Sequence, residues 1–149
     1  MQEKNLVITL PFKEWMERNN IQIADIAEKL EITKQTVYYW FSEDDIRLSA
    51  LINSAAAFNA TLLITMSYQG KGYQETKTIS VTGDADSSEI STRIRNNMNM
   101  SIKDMCEILG MTNVNHAQIF KRGVVRMSTL LKMAEVSGVK LSYSLDDIG

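Results

Sequence analysis

The sequence predicts a mostly α chain with a small β component, built from two tandem copies of one unit of about four short helices flanked by strands. Three observations lead there. Sliding the chain along itself by 79 residues aligns residues 23–66 with 102–145 without a gap, and 11 of the 44 pairs are identical, Thr33/Thr112, Phe41/Phe120, Arg47/Arg126 and Ser49/Ser128 among them. Chance gives roughly three. Within each copy apolar side chains recur every three to four positions, the spacing that lays one stripe along a helix. Residues 61–68 and 73–81 instead alternate β-branched, aromatic and polar types around Gln69-Gly70-Lys71-Gly72, the pattern of a hairpin.

Taken in order, residues 6–10 read as extended, and Pro11 suits the first turn of a helix at about 11–20, with Phe12, Trp15, Met16 and Asn19 on one face. Ile23, Ile26, Ala27 and Leu30 form the stripe of a second helix. Thr33 offers a side-chain oxygen to cap a third that turns Val37, Trp40 and Phe41 inward, and Ser49 is expected to cap a fourth carrying Leu51, Ile52, Ala55 and Phe58. In the second copy Asp86-Ser-Ser-Glu89 and Ser101-Ile-Lys-Asp104 both have capping-box form. Residues 140–145 again look extended, and pairing of strands between copies would give one central sheet bearing two helical heads. The expected division is 1–69 for the first unit, 70–88 for the hairpin strand and linker, with the linker at 83–88, and 89–149 for the second unit and its C-terminal strand.

Small residues at Ala27 and Cys106 let the second helix approach the third, and Gly110 can take the positive φ of a tight turn between them. Glu31 stands where the first copy needs that glycine. A glutamate there is strained unless the turn differs.

The 44% hydrophobic and 23% charged content, with one proline and seven glycines, is that of an ordinary globular chain. The longest apolar stretch, 50–66, is interrupted by Asn53, Ser54, Asn59 and Thr61, short of the ~20 residues a membrane helix needs, so no membrane partner is expected. The N-terminal run is too short for a signal-peptide core, and a cytoplasmic location is the default. With Cys106 the only cysteine and His116 the only histidine, neither an internal disulfide nor a Cys/His metal cage can form in one chain. His116 aligns with Val37 and Cys106 with Ala27, both core-facing positions, so a satisfied buried histidine and a small buried thiol are expected. The nine methionines fall largely on apolar stripes. No cofactor is expected, and no catalytic constellation argues for an enzyme. Trp40 and Phe41 read as core, whereas Tyr38 and Tyr39 suit either a base-stacking or a partner-binding surface.

The stretch Ser101-Ile-Lys-Asp-Met-Cys-Glu-Ile-Leu-Gly-Met-Thr-Asn-Val-Asn-His-Ala-Gln-Ile-Phe-Lys-Arg-Gly resembles the phage repressor and Cro-like (lambda repressor-like) helix-turn-helix family. Residues 126–139 look like that family's fourth helix, and the first copy is similar over 23–33 and 47–58; together the matches cover roughly two-thirds of the chain. The resemblance implies tandem helix-turn-helix units and sequence-specific binding of double-stranded DNA by a prokaryotic or phage-like transcriptional regulator. Two covalently joined heads would imitate the two-fold dimer of single-head relatives. The third helix of each copy would enter a major groove. Asn113, Val114, Asn115 and Gln118 would read bases in the second copy, and Lys34, Gln35, Thr36 and Tyr39, with Tyr38 beside them, in the first. Asn and Gln suit adenine edges, Lys suits guanine acceptors and Val114 a thymine methyl. Gln22, Thr33, Ser101 and Thr112 are the implied phosphate contacts.

Charge qualifies this reading. The net charge is −2; residues 1–69 carry six basic and nine acidic side chains, 84–149 eight of each. Lys121-Arg122-Gly123 in the second copy stands opposite Ser42-Glu43-Asp44 in the first, so the second head should grip phosphate, while the acidic residues of the first would repel it and leave that head to bind DNA weakly, to bind something else or to serve as a structural partner. An alternative from another class follows: a protein–protein adaptor or antitoxin-like chain that keeps the scaffold with weak or no DNA binding, held up by the net charge and Glu43-Asp44-Asp45. A homodimer through strand edges is open to either reading.

Overall fold

The computed structural model describes residues 6–70, 73–83, 85–98 and 101–146; Lys71 and Gly72 of the hairpin turn and Asp84 of the expected linker lie outside them. In chain order these form α1 (Leu10–Arg18), α2 (Ile23–Leu30), α3 (Lys34–Glu43), α4 (Leu48–Ala57), β1 (Leu62–Gly70), β2 (Tyr73–Val81), α5 (Ser87–Asn96), α6 (Ile102–Leu109), α7 (Asn113–Arg122), α8 (Met127–Val136) and β3 (Val139–Leu145). The fold is mostly helical with one small antiparallel sheet, in strand order β2-β1-β3. Among the described residues no helix is long and apolar enough to cross a membrane.

Residues 6–10 are not a strand. The carboxylate of Asp44 accepts the backbone N–H groups of Val7 (3.0 Å), Ile8 (3.1 Å) and Thr9 (2.9 Å) and the Thr9 hydroxyl (2.9 Å). Those amides are thereby withdrawn from any strand partner, and they arrive already turned for α1, whose first residue is Leu10. Nor does Ser49 cap α4. The helix starts one residue earlier at Leu48, with Arg47 at the N-cap and no side-chain bond there. The Leu48 N–H instead meets the Val125 carbonyl (3.0 Å), and the Met127 N–H meets Ile46 O (2.8 Å). Arg47 and Arg126 are thus antiparallel partners across a short bridge, and each helix start is satisfied by backbone from the other half of the chain. The expected linker also ends early, since α5 already begins at Ser87.

The two halves keep step in their backbones. α2, α3 and α4 begin and end 79 residues before α6, α7 and α8. Three left-handed turn residues recur at the same offset: Glu31 and Gly110 (φ 56° and 66°), Asp44 and Gly123 (50° and 66°), Asn59 and Gly138 (56° and 73°). The turn at Glu31 therefore does not differ from the one at Gly110. The glutamate takes the strained conformation itself, at a cost of about 1 kcal/mol.

β1 and β3 pair with Ile64 opposite Tyr143. Their alternation puts Leu62, Ile64, Met66, Val139, Leu141, Tyr143 and Leu145 on one buried face, joined by Ile79 and Val81 of β2. Helices from both halves cover that face, α1 and α8 packing on β3 and α4 on β1. An aromatic group centred on Phe12 ties α1 to α3: its ring lies 5.7 Å from Trp15, 6.1 Å from Trp40 and 6.0 Å from Phe41. Trp40 and Phe41 are half-buried rather than sealed.

Candidate nucleic-acid interface

Each third helix is started by a threonine. Thr33 and Thr112 are extended, and their Oγ1 atoms accept the Thr36 and Asn115 N–H groups at 3.1 Å each, fixing the first turn in one orientation. The inward stripe is then set by Val37 and His116, at 0% and 1% exposure. One turn of helix cannot bury its other faces at the same time, so Lys34, Gln35, Thr36, Tyr38 and Tyr39 on α3 and Asn113, Val114, Asn115, Gln118, Lys121 and Arg122 on α7 are all exposed. Tyr38, Tyr39 and Val114 are more than half exposed, so the two tyrosines are not core.

Gln22 and Ser101 lie exposed at the starts of α2 and α6. Ser101 Oγ accepts the Asp104 N–H at 3.1 Å, which leaves its hydroxyl proton available, and the Gln22 N–H donates to Asp25 Oδ2 at 2.7 Å. Between these helices and the third ones, Ala27 and Cys106 are buried as small residues, Cys106 Sγ lying 3.9 Å from Thr112 O.

Two residues of the first half's acidic run, Asp44 and Asp45, are half-buried and bonded. Burial opposes ionisation of Asp44, but the N–H groups of Thr9, Val7 and Ile8 and the Thr9 hydroxyl outweigh it and hold the carboxyl below its ordinary value of 3.8. Asp45 accepts the Ser128 N–H (3.0 Å) and hydroxyl (2.5 Å), capping α8 from the other half of the chain. Glu43 alone of the three is exposed. It lines a cleft of about 420 Å³ beside α3, together with Thr36, Tyr39, Trp40, Asn53, Arg47 and Arg126. In the second half the junction equivalent to Asp44 is made without charge: Ser87 and Ser88 hydroxyls donate to Gly123 O (3.0 Å) and Phe120 O (2.7 Å).

No family model matches this chain, and no curated protein or solved structure matches it. What the interface can do has to be read from its own residues. His116 is a packing group. Its ring stacks on Phe120 at 4.6 Å, and Arg95 sits over the far ring at 5.3 Å. The histidine is not fully satisfied, contrary to expectation: Nε2 is buried with no hydrogen-bond partner. Burial first, then the Arg95 charge, push its pKa below the ordinary 6.5. Among the described residues no three or more His, Cys, Asp and Glu side chains are grouped to hold a metal. Arg47 and Arg126 escaped the sequence-based selection of site residues. The signal was there in their identity across the repeat, but an arginine before a helix reads as solvated surface.

Both titrating groups weaken the fold in acid. The unfolded chain takes up a proton at His116 while the folded chain resists it, so stability falls as pH drops below 6.5. Asp44 stays ionised when its unfolded counterpart is protonated, and a second loss runs from 3.8 downward through its folded value. His116→Val is expected to flatten the first window and leave the second. Urea midpoints measured from about pH 8 to pH 3 test this; an unchanged slope between about 6.5 and 5 would dismiss the buried histidine as its source.

Proposed function

We propose that this chain binds double-stranded DNA sequence-specifically as a single-chain pseudo-dimer, a transcriptional regulator made by tandem duplication of a repressor-like helix-turn-helix unit. One observation carries the reading. Positions that are equivalent in the two halves pair with each other, Arg47 with Arg126 and Ile64 with Tyr143, which is what a two-fold relation between two heads requires. Two heads so related suit the near-symmetric succession of major grooves on one side of a duplex. Each third helix leaves its first turn free of core duties, with side chains whose chemistry fits base edges: Asn113, Asn115, Gln118 and Val114 on α7, Lys34, Gln35 and Thr36 on α3. Unequal sets favour an asymmetric site. The C-terminal head supplies the firmer phosphate grip through exposed Lys121 and Arg122.

The adaptor alternative loses part of its support, because two of its three acidic residues have structural partners. Sequences selected from a random duplex pool, titrated by fluorescence anisotropy at several salt concentrations, separate the two. Binding should weaken steeply with salt, and Lys121→Ala with Arg122→Ala should lower the slope of log K against log salt by about 2. Undetectable binding at low ionic strength, or binding indifferent to salt, excludes the DNA reading.

A further inference from the structure

We propose that β2 is a docking edge for a second copy of this chain, the two β2 strands pairing antiparallel about Thr76 so that the two sheets join into one. This goes beyond the DNA reading and stands without it. The two outer edges of the sheet differ. α1 packs on β3, and the Leu145 carbonyl accepts a hydrogen bond from Arg18 Nη2 at 3.3 Å. Beyond β2, among the described residues, no strand follows. Natural edges are blunted by proline, a bulge or short length. β2 runs nine residues without proline and keeps one unbroken register with β1.

The hairpin decides which backbone groups that edge presents. Gly70 stands opposite Tyr73 across a two-residue connection, and the pair closing such a hairpin exchanges both of its hydrogen bonds. Alternation then turns the N–H and C=O groups of Glu75, Lys77 and Ile79 toward β1 and those of Gln74, Thr76, Thr78 and Ser80 outward. A two-fold through Thr76 sets outward groups against outward groups: Thr76 meets its own copy, and Thr78 meets the partner's Gln74. Between them, where side chains approach most closely, Glu75 faces the partner's Lys77 and Lys77 faces the partner's Glu75. Centring on Thr78 instead would set Lys77 against the partner's Ile79, and centring on Gln74 would carry Lys77 past the end of the partner's β2. Glu75, Thr76, Lys77 and Thr78 are all exposed. Lys77 Nζ lies 5.5 Å from the Tyr68 ring centroid and 3.5 Å from Asn97 Oδ1, which keeps its ammonium on the same face of the sheet as Glu75.

Analytical ultracentrifugation of the full chain from about 1 to 200 µM tests this. The wild type should pass from monomer to dimer across that range. Glu75→Lys sets like charges opposite each other twice per dimer and should weaken association about tenfold or more. Glu75→Lys/Lys77→Glu restores opposite charges and should bring association back to within about threefold of wild type. Thr76→Pro removes an N–H that β1 does not use and should abolish the dimer, an unchanged circular-dichroism spectrum showing the fold intact. A wild type that stays monomeric throughout, a proline variant that dimerises as the wild type does, or a charge swap as weak as Glu75→Lys alone overturns the proposal. The affinity of one chain for one duplex, read by the salt titration above, is a separate measurement and fails separately.

Discussion

Phe12→Ala is expected to lower folding stability by about 4 kcal/mol, a large part of the margin of an ordinary domain. Phe12 is fully buried, and its ring meets Trp15 on its own helix and Trp40 and Phe41 on α3. Truncation removes the transfer energy of the ring and leaves a cavity whose walls are rigid indoles and phenyls, which collapse poorly. Phe12→Leu refills most of that space and should cost about 1.5 kcal/mol. Chemical denaturation followed by tryptophan fluorescence reports on the site directly, because Trp15 and Trp40 both face it. If the alanine and leucine proteins have the same midpoint, the aromatic group does not organise the first half. The expected loss of order is larger in α3, which packs on Phe12 through Trp40 and Phe41, than in α7.

How far the sequence reached depends on which physics dominated each element. Stripes with a period near 3.6 residues placed every helix within a few residues, and alternation over 61–68 and 73–81 placed the two hairpin strands, because burial there is decided by local spacing. Caps supplied by a residue's own neighbours were legible too: Thr33, Thr112 and Ser101 accept the N–H three residues on, as their positions predict, while Asp86 caps α5 through the Ser88 N–H rather than that of Glu89. Caps supplied from a distance were not. Asp44 reaches back 35 residues to Thr9, and Asp45 reaches forward 83 residues to Ser128. Such residues look in the sequence like a solvated acidic run that would repel phosphate. Residues 6–10 failed for the same reason, since β-branched residues with free amides look like a strand until a carboxylate claims them.

The exposed third-helix residues were legible for a different reason. Once Val37 and His116 are assigned inward, helical geometry leaves no other place for Lys34, Gln35, Asn113 or Gln118. The bridge at Arg47 and Arg126 was not, because it depends on where the two halves meet. The left-handed turn at Glu31 was one of two alternatives that Gly110 raised, whereas those beneath Asp44 and Asn59 were invisible, although their partners 79 residues later are Gly123 and Gly138.

Gly123 therefore makes the sharper second test, with an expected cost of about 3 kcal/mol for Gly123→Ala. Two terms add. The residue sits at φ 66°, where any side chain costs about 1 kcal/mol. A Cβ would also collide with Ser87 Oγ and lie 2.9 Å from the Ser88 backbone nitrogen, so α5 must move away from the C-terminus of α7 and give up the hydroxyl bonds to Gly123 O and Phe120 O. Gly110→Ala isolates the first term, since Gly110 has the same φ and nothing within 4 Å of its Cβ; it should cost about 1 kcal/mol. Thermal and urea unfolding of the two variants side by side measures the difference. Equal losses would mean that the close approach of α5 to α7 contributes nothing, and that the junction tolerates a side chain as freely as the one at Asp44 does. A larger loss at Gly123 would show why the second half cannot borrow the carboxylate clamp of the first: the space that Asp44 uses to reach the start of α1 is filled, in the C-terminal head, by the start of α5 itself.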